Sequence, residues 1–325
     1  MYRGKKVAVV VPAYNEELLI GRVIETMPDF VDLTVVVNDC SPDKTGEIVQ
    51  NYESMEKYKV KLLDLEKNEG VGGAIAAGYK YARDHGFDCA AVMAGDAQMN
   101  PDDLPALLDP VVDGIADYSK GNRLITGEAF KKIPKVRYFG NAGLSLLTKI
   151  ASGYWHVADS QTGYTVINKK GLHVIDWDQM YKRYGQPNDL LVTCNIENLR
   201  VCDVPVEPVY GVGEKSGINI KKVIFKLSFL LTRLFFKRMA QKYVVRDFHP
   251  LVLFYGVGAL MSLVSLPFLV KFLYEYFFFG VAPTISLLLV MFNQLMALQL
   301  IMFAMWFDME SNKALCVKIP AKDIY

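Results

Sequence analysis

Residues 7–17 read VAVVVPAYNEE, and residues 33–39 read LTVVVND. Each begins with a run that is apolar or β-branched at nearly every position, with no alternation. A strand with one face in water alternates, so a continuous apolar run signals a strand buried on both faces. A polar turn and a helical stretch through Met27 separate the two runs. The pattern continues with a helix from Thr45, a strand at KVKLL (59–63), a small-faced helix at VGGAIAAGYKYARD (71–84) and a buried strand at CAAVMA (89–94). Pro101 is well placed to open another helix, and Tyr164–Asn168 and Arg200–Val206 read as later strands. This alternation predicts an α/β fold, a mostly parallel sheet covered by helices on both faces. Ligands of such sheets sit at the carboxyl ends of the strands. Tyr14 to Glu16, Asp39 and Asp96 fall there.

Familiar nucleotide motifs do not account for the chain. It has no GxxxxGK[ST] loop, and Gly70-Val71-Gly72-Gly73 follows the third strand and has Ile75 where a dinucleotide loop needs its third glycine. Those glycines read better as close packing of a helix. HExxH and GxSxG are missing, and the four histidines are scattered. The 36 Lys and Arg nearly balance 35 Asp and Glu, which gives no sign of a nucleic-acid partner. Five cysteines without a CxxC pair argue against a disulfide framework. The opening MYRGKK leads straight into the first strand, so no secretory leader is expected.

The apolar excess, 52% of residues, is concentrated near the end. Residues 251–270 and 276–307 carry no charge, and each is long enough to cross a hydrocarbon core of about 30 Å. Residues 221–246 hold eight of the basic residues and no acidic one. On a helical wheel Lys222, Lys226, Arg233 and Lys237 share one sector, and Leu227, Leu230, Leu231 and Leu234 another. Arg238, Lys242 and Arg246 form a second basic row out of phase with the first. Two short interfacial helices on an anionic bilayer surface are therefore expected, followed by a two-span hairpin. The basic flank places that side, and both ends of the hairpin, in the cytoplasm. The expected divisions are 1–217 for the globular domain, 218–249 for the interfacial helices, 250–307 for the spans and 308–325 for a cytoplasmic tail.

Four motifs occur in order: VPAYNEE (11–17), NDCSPDKT (38–45), AGDAQMNP (94–101) and DSQTGY (159–164). Together they resemble family 2 glycosyltransferases of the GT-A fold, the Rossmann-like fold of nucleotide-diphospho-sugar transferases. Within that family the chain is most similar to polyprenyl-phosphate hexose synthases such as the dolichol-phosphate mannose synthases. The resemblance covers about residues 5–217, and the basic helices and hairpin extend it.

That resemblance implies several roles. Pro12, Tyr14, Glu16 and Asp39, with Ala94 and Gly95, would hold the nucleotide sugar. The family's metal motif reads D-x-D-x-Q; here Ala94 replaces the first Asp, leaving Asp96 and Gln98 for Mg²⁺ or Mn²⁺. Arg123, Arg137 and Lys215 would face phosphate of the acceptor. Asp159 would lie near the acceptor with Asp96 and Arg137 among the catalytic groups, orienting neighbours because a lipid phosphate is already anionic. The implied reaction moves a hexose, with GDP-mannose favoured and UDP-glucose or a UDP-HexNAc next, onto polyprenyl phosphate with inversion at the cytoplasmic face. A polymerising or glycan-directed family member is a weaker alternative, because the chain lacks Q-x-x-R-W and a multi-span channel. An inactive nucleotide-sugar-binding membrane scaffold is the other, suggested by Ala94. A homo-oligomer is compatible with each reading.

Overall fold

The computed structural model describes residues 1–124, 135–207 and 220–318, with side chains left undescribed at 135–142 and 220–224. Arg137 and Lys215 are therefore outside what can be placed at side-chain level. Two compact units result, one comprising 1–235 with 314–325 and the other 236–313.

The first unit is built on an eight-stranded sheet. Its strands are β1 (Val7–Ala13), β2 (Leu33–Asn38), β3 (Val60–Asp64), β4 (Cys89–Val92), β5 (Tyr118–Asn122), β6 (Thr165–Asn168), β7 (Val201–Pro205) and β8 (Cys316–Val317). Their spatial order is β3-β2-β1-β4-β6-β5-β7-β8. β6 runs antiparallel to both β4 and β5, while the other pairs are parallel. The strands that end in the sequence motifs thus share one edge. Because β6 is reversed, the segment leading into it, residues 159–164, arrives at that same edge.

Helices cover both faces, as the unalternating strands require. On one face α3 (Val71–Asp84) places Ala74, Ile75, Tyr79 and Ala82 over Val10, Val35 and Val92. Gly78 of α3 lies so close to Val10 that a Cβ there would collide with its methyls. α6 (Lys169–Val174) and α7 (Gln186–Ile196) complete this layer through Leu172, Leu190 and Leu191. On the other face α1 (Ile20–Glu25), α2 (Thr45–Glu53) and α4 (Leu104–Val112) contribute Ile20, Val49, Leu104 and Leu107. Pro101 does open a helical segment, a 3₁₀ turn capped by the Asn100 side chain, which accepts from Asp102 N–H at 3.2 Å. α5 (Lys135–Ser152) packs Leu144 and Ala151 beside α7. All five cysteines are free thiols.

The basic segment differs from expectation. It forms one continuous helix, α8 (Ile220–Ala240), followed by a π-helical turn at Gln241–Arg246. Leu227, Leu230, Leu231 and Leu234 do not face lipid; they pack on Val192 and Ile196 of α7 and Leu144 and Ala151 of α5. The wheel separates an apolar sector correctly but cannot say whether protein or membrane covers it. Phe225 and Phe229 point away from that cluster and are 80% and 74% exposed.

The second unit is a helical hairpin of α9 (Leu251–Phe279) and α10 (Thr284–Ser311), each long and apolar enough to cross a membrane. Pro267 sits inside α9, and Gly280 at φ +66° closes it. Gly258 faces Ala297 and Ile301 closely, and Gln294 Nε2 donates to Ser265 Oγ at 2.5 Å. At one end of the hairpin Arg238 is fully buried. Its guanidinium donates to both oxygens of Asp308, at 2.7 and 2.8 Å. Tyr243 Oη and Asn312 Nδ2 donate to the same carboxylate, at 2.7 and 2.9 Å. The second basic row is thus partly internal: Arg238 pairs with Asp308, and Lys242 donates to Asn312 Oδ1 at 2.8 Å.

Candidate active site

The loops after β1 and β2 are laced together. Asn15 N–H donates to Ser41 Oγ, Glu16 N–H to Thr45 Oγ1 and Glu17 N–H to Asp43 Oδ2. Asn15 and Cys40 adopt left-handed backbone, at φ +59° and +56°, so both loops turn sharply off their strands. Tyr14 remains exposed beside the partly exposed Pro12. Asp39 is buried. Its two oxygens accept from Glu69 N–H (2.6 Å) and Gly70 N–H (2.8 Å), and Asn68 Nδ2 donates to its carbonyl at 3.1 Å. Burial raises its carboxyl above the usual range, opposed by those two N–H donors. Asp39 therefore fixes the entry to α3 where Gly70, at φ +81°, passes against the Lys182 carbonyl. This agrees with reading those glycines as packing residues.

After β4 the chain turns at Gly95, whose N–H donates to the Pro12 carbonyl at 3.2 Å. A side chain there would press on Pro12 O, Ala13 and Glu16. Asp96 follows, half-buried, with Oδ1 accepting from Gln98 N–H at 3.1 Å across Ala97, itself at φ +56°. Glu16 is the neighbour that sequence reasoning gave only to the nucleotide. Burial first, then the charges of Asp96 and Asp43, push its carboxyl up to about 7. The loops after β1 and β4 therefore concentrate negative charge in one place. Among the described residues no three His, Cys, Asp or Glu side chains form a ready metal cage. A small divalent cation needs no such cage, since it takes one or two carboxylates and completes its shell with water and substrate phosphate. Asp96, with Gln98 beside it and Glu16 adding charge, fits that requirement.

The third part of the edge lies between β5 and β6. Arg123 follows β5 directly, and Asp159 is 0% exposed. Arg123 donates through Nε to Oδ2 at 2.7 Å and through Nη2 to Oδ1 at 3.1 Å, a two-pronged ion pair. Although burial alone would raise the Asp159 carboxyl, the Arg123 and Lys120 charges hold it below the usual range. It is an ionised group engaged in holding Arg123. Tyr164 Oη donates to the Asn100 carbonyl at 3.0 Å, and Gly163 lies against Met99. The turn before β6 is thus joined to the Asp96 loop.

Two residues here were not singled out from the sequence, Lys120 and Asp203. Lys120 is fully buried on β5 and donates to the Thr162 carbonyl at 2.5 Å. Asp203 on β7 accepts from Asn122 Nδ2 at 2.6 Å and Ala158 N–H at 2.8 Å. The only sequence signal was a lysine and an acid inside otherwise strand-like segments.

The mixed sheet, with its motif-bearing loops gathered at one edge, has the GT-A architecture. A solved glucosyl-3-phosphoglycerate synthase from Mycobacterium tuberculosis, in complex with Mn²⁺, UDP and product, has a similar fold: TM-score 0.54, 19% identity, 72% of this chain and 80% of that one. Residues 8–176 match the family model described as "Glycosyl transferase family 2", and the chain belongs to that family. It is a glycosyltransferase. Among similar proteins, a UDP-N-acetylglucosamine–dolichyl-phosphate N-acetylglucosaminyltransferase of Methanococcus voltae is 32% identical, over 70% of this chain and 96% of that one. An undecaprenyl-phosphate mannosyltransferase of Micrococcus luteus is 30% identical over 65% and 88%. A polyprenol monophosphomannose synthase of Mycolicibacterium smegmatis is 28% identical over 69% and 86%.

Proposed function

We propose that this enzyme moves a sugar from a nucleotide-diphospho-sugar to a polyprenyl phosphate whose tail lies in the bilayer. The observation that supports this most is the convergence of four loops at one sheet edge, in a chain that also carries an apolar hairpin. Pro12, Tyr14 and Asp39 would line the nucleotide side, and Gly95, with no side chain, lets the loop after β4 pass close to Pro12 and Glu16. Asp96 and Gln98 would hold Mg²⁺ or Mn²⁺, which supplies charge stabilisation for the departing diphosphate. Glu16 shares that pocket of negative charge.

On the acceptor side Arg123 is aimed by Asp159, with Arg137 and Lys215 as the further cations assigned to phosphate. A phosphate monoester is anionic at neutral pH, so the acceptor needs positioning rather than deprotonation. Its oxygen attacks the anomeric carbon, the bond from that carbon to the diphosphate breaks, and the configuration inverts. The basic flank of the hairpin favours the cytoplasmic face. For the donor we place UDP-N-acetylglucosamine ahead of GDP-mannose, because the N-acetylglucosaminyltransferase relative is the more similar of the two kinds and is matched over nearly its whole length.

The test is a donor panel. Full-length enzyme in nanodiscs receives polyprenyl phosphate with UDP-N-acetylglucosamine, GDP-mannose or UDP-glucose, and lipid products are read by mass. One donor is expected to give a polyprenyl-monophosphate sugar and free nucleoside diphosphate. Absence of a lipid-linked sugar from every donor overturns the reading.

A further inference from the structure

Beneath the acceptor edge lies a buried group of charges that the transfer step itself does not use. Lys120 and Asp203 are register partners on the adjacent parallel strands β5 and β7. Neighbouring strands run roughly 4.8 Å apart, so their side chains rise side by side on one face of the sheet. Both lie under the turn that carries Asp159. Lys120 Nζ holds it from below at the Thr162 carbonyl, and Asp203 Oδ2 holds it at the Ala158 N–H. Asn122, two residues along β5, ties Asp203 back to the strand that ends in Arg123. The other oxygen of Asp203, Oδ1, is buried with no hydrogen-bond partner.

Building on the acceptor-side reading above, we propose that Lys120 is a positioning residue. Its charge balances the two buried carboxylates Asp159 and Asp203, so that the 158–164 turn and the Arg123 fork hold the shape that receives the acceptor phosphate. A lone buried charge is costly unless paired and hydrogen-bonded. Here two anions, Asp159 and Asp203, meet two cations, Arg123 and Lys120, and the group is near neutral as a whole. Removing the ammonium leaves one carboxylate in excess beneath the turn. Burial lowers the Lys120 ammonium and raises the Asp203 carboxyl, and the attraction between the two charges opposes both shifts. The donor side is built from the loops after β1, β2 and β4 and does not include Lys120.

The experiment uses full-length enzyme in nanodiscs with Lys120→Met, Asp203→Asn and the double variant. Steady-state constants are taken for polyprenyl phosphate and for the nucleotide sugar, with thermal unfolding alongside. Lys120→Met is expected to lower kcat/KM for the acceptor at least tenfold while the donor KM stays within twofold. Adding Asp203→Asn removes the excess negative charge and should recover at least half of that loss on a logarithmic scale. A double variant as poor as the product of the two single effects overturns the proposal, as does a donor KM that rises with the acceptor effect. If Lys120→Met alone does not fold, the double variant decides: folded and within tenfold of the parent supports charge balance, unfolded refutes it. Parent enzyme that makes no lipid-linked sugar is a failure of the acceptor assignment instead. In that case the melting temperatures carry the test, with the double variant expected above Lys120→Met, and equal or lower values overturning the charge balance.

Discussion

Replacing Asp308 by alanine takes one carboxylate out of a buried site. Arg238 is 0% exposed, and both terminal nitrogens donate to that carboxylate. Tyr243 and Asn312 donate to it as well. Removing one partner of a buried pair costs about 3–5 kcal/mol, because the surviving charge keeps its desolvation penalty without its counter-charge. At about 4–8 °C per kcal/mol for a unit of 60–100 residues, such as residues 236–313, the melting temperature should fall by at least roughly 12 °C. The assay is thermal unfolding in nanodiscs followed by calorimetry, which registers the melting of the hairpin unit. The paired replacement Arg238→Met with Asp308→Leu separates charge from packing, since swapping a whole buried pair for apolar groups is often near neutral. Asp308→Ala unfolding within about 1 kcal/mol of the parent would refute the reasoning. So would a paired variant as damaged as the single one.

Asp96→Ala should abolish transfer, with at least a hundredfold loss of kcat in the lipid-product assay, while nucleotide retention by equilibrium binding changes little. Leu231→Ala should cost the catalytic unit about 2–4 kcal/mol in denaturant unfolding, because this side chain packs on α7 and not in lipid. His156 is held neutral. Its Nε2 donates to the Val201 carbonyl at 2.8 Å, Nδ1 is buried without a partner, and burial pushes its pKa down to about 4. An unfolded histidine takes up its proton near 6.5, so this contribution is complete above pH 6.5 and is lost as pH falls toward 4. Stability should drop by up to about 3 kcal/mol across that window, and unfolding curves of His156→Gln should be flatter there.

Much of the sheet was legible because β1, β2 and β4 announce themselves. A strand buried on both faces has to be apolar throughout, and VAVVV and LTVVV leave no other reading. β5 was not legible, since its sequence YSKGN looks like a loop. Every residue of it is buried, and Lys120 and Asn122 are tolerable there only because partners distant in sequence satisfy them. α7 was missed for a related reason. It buries Gln186, Asn188, Asp189 and Asn195 together with its leucines, so no polar face marks its period. The loops carrying Asp39 and Asp96 were found from their motifs. The Arg123–Asp159 pair was not, because its members lie 36 residues apart and meet only through the reversed strand β6. The leucine sector of α8 was read correctly as apolar and assigned the wrong cover, for amphipathicity records solvent exclusion and not what excludes it.

The short strand β8 has a consequence for biosynthesis. It follows both hairpin helices in sequence yet pairs with β7, whose residues are translated more than a hundred positions earlier. On a ribosome the sheet would reach the second unit with its outer edge still bare, and the strip that closes it emerges last. Completion of the sheet therefore waits on manufacture of the hairpin. The pairing also requires residues 316–317 to lie on the same side of any bilayer as β7, because a strand on the opposite side has no edge to join.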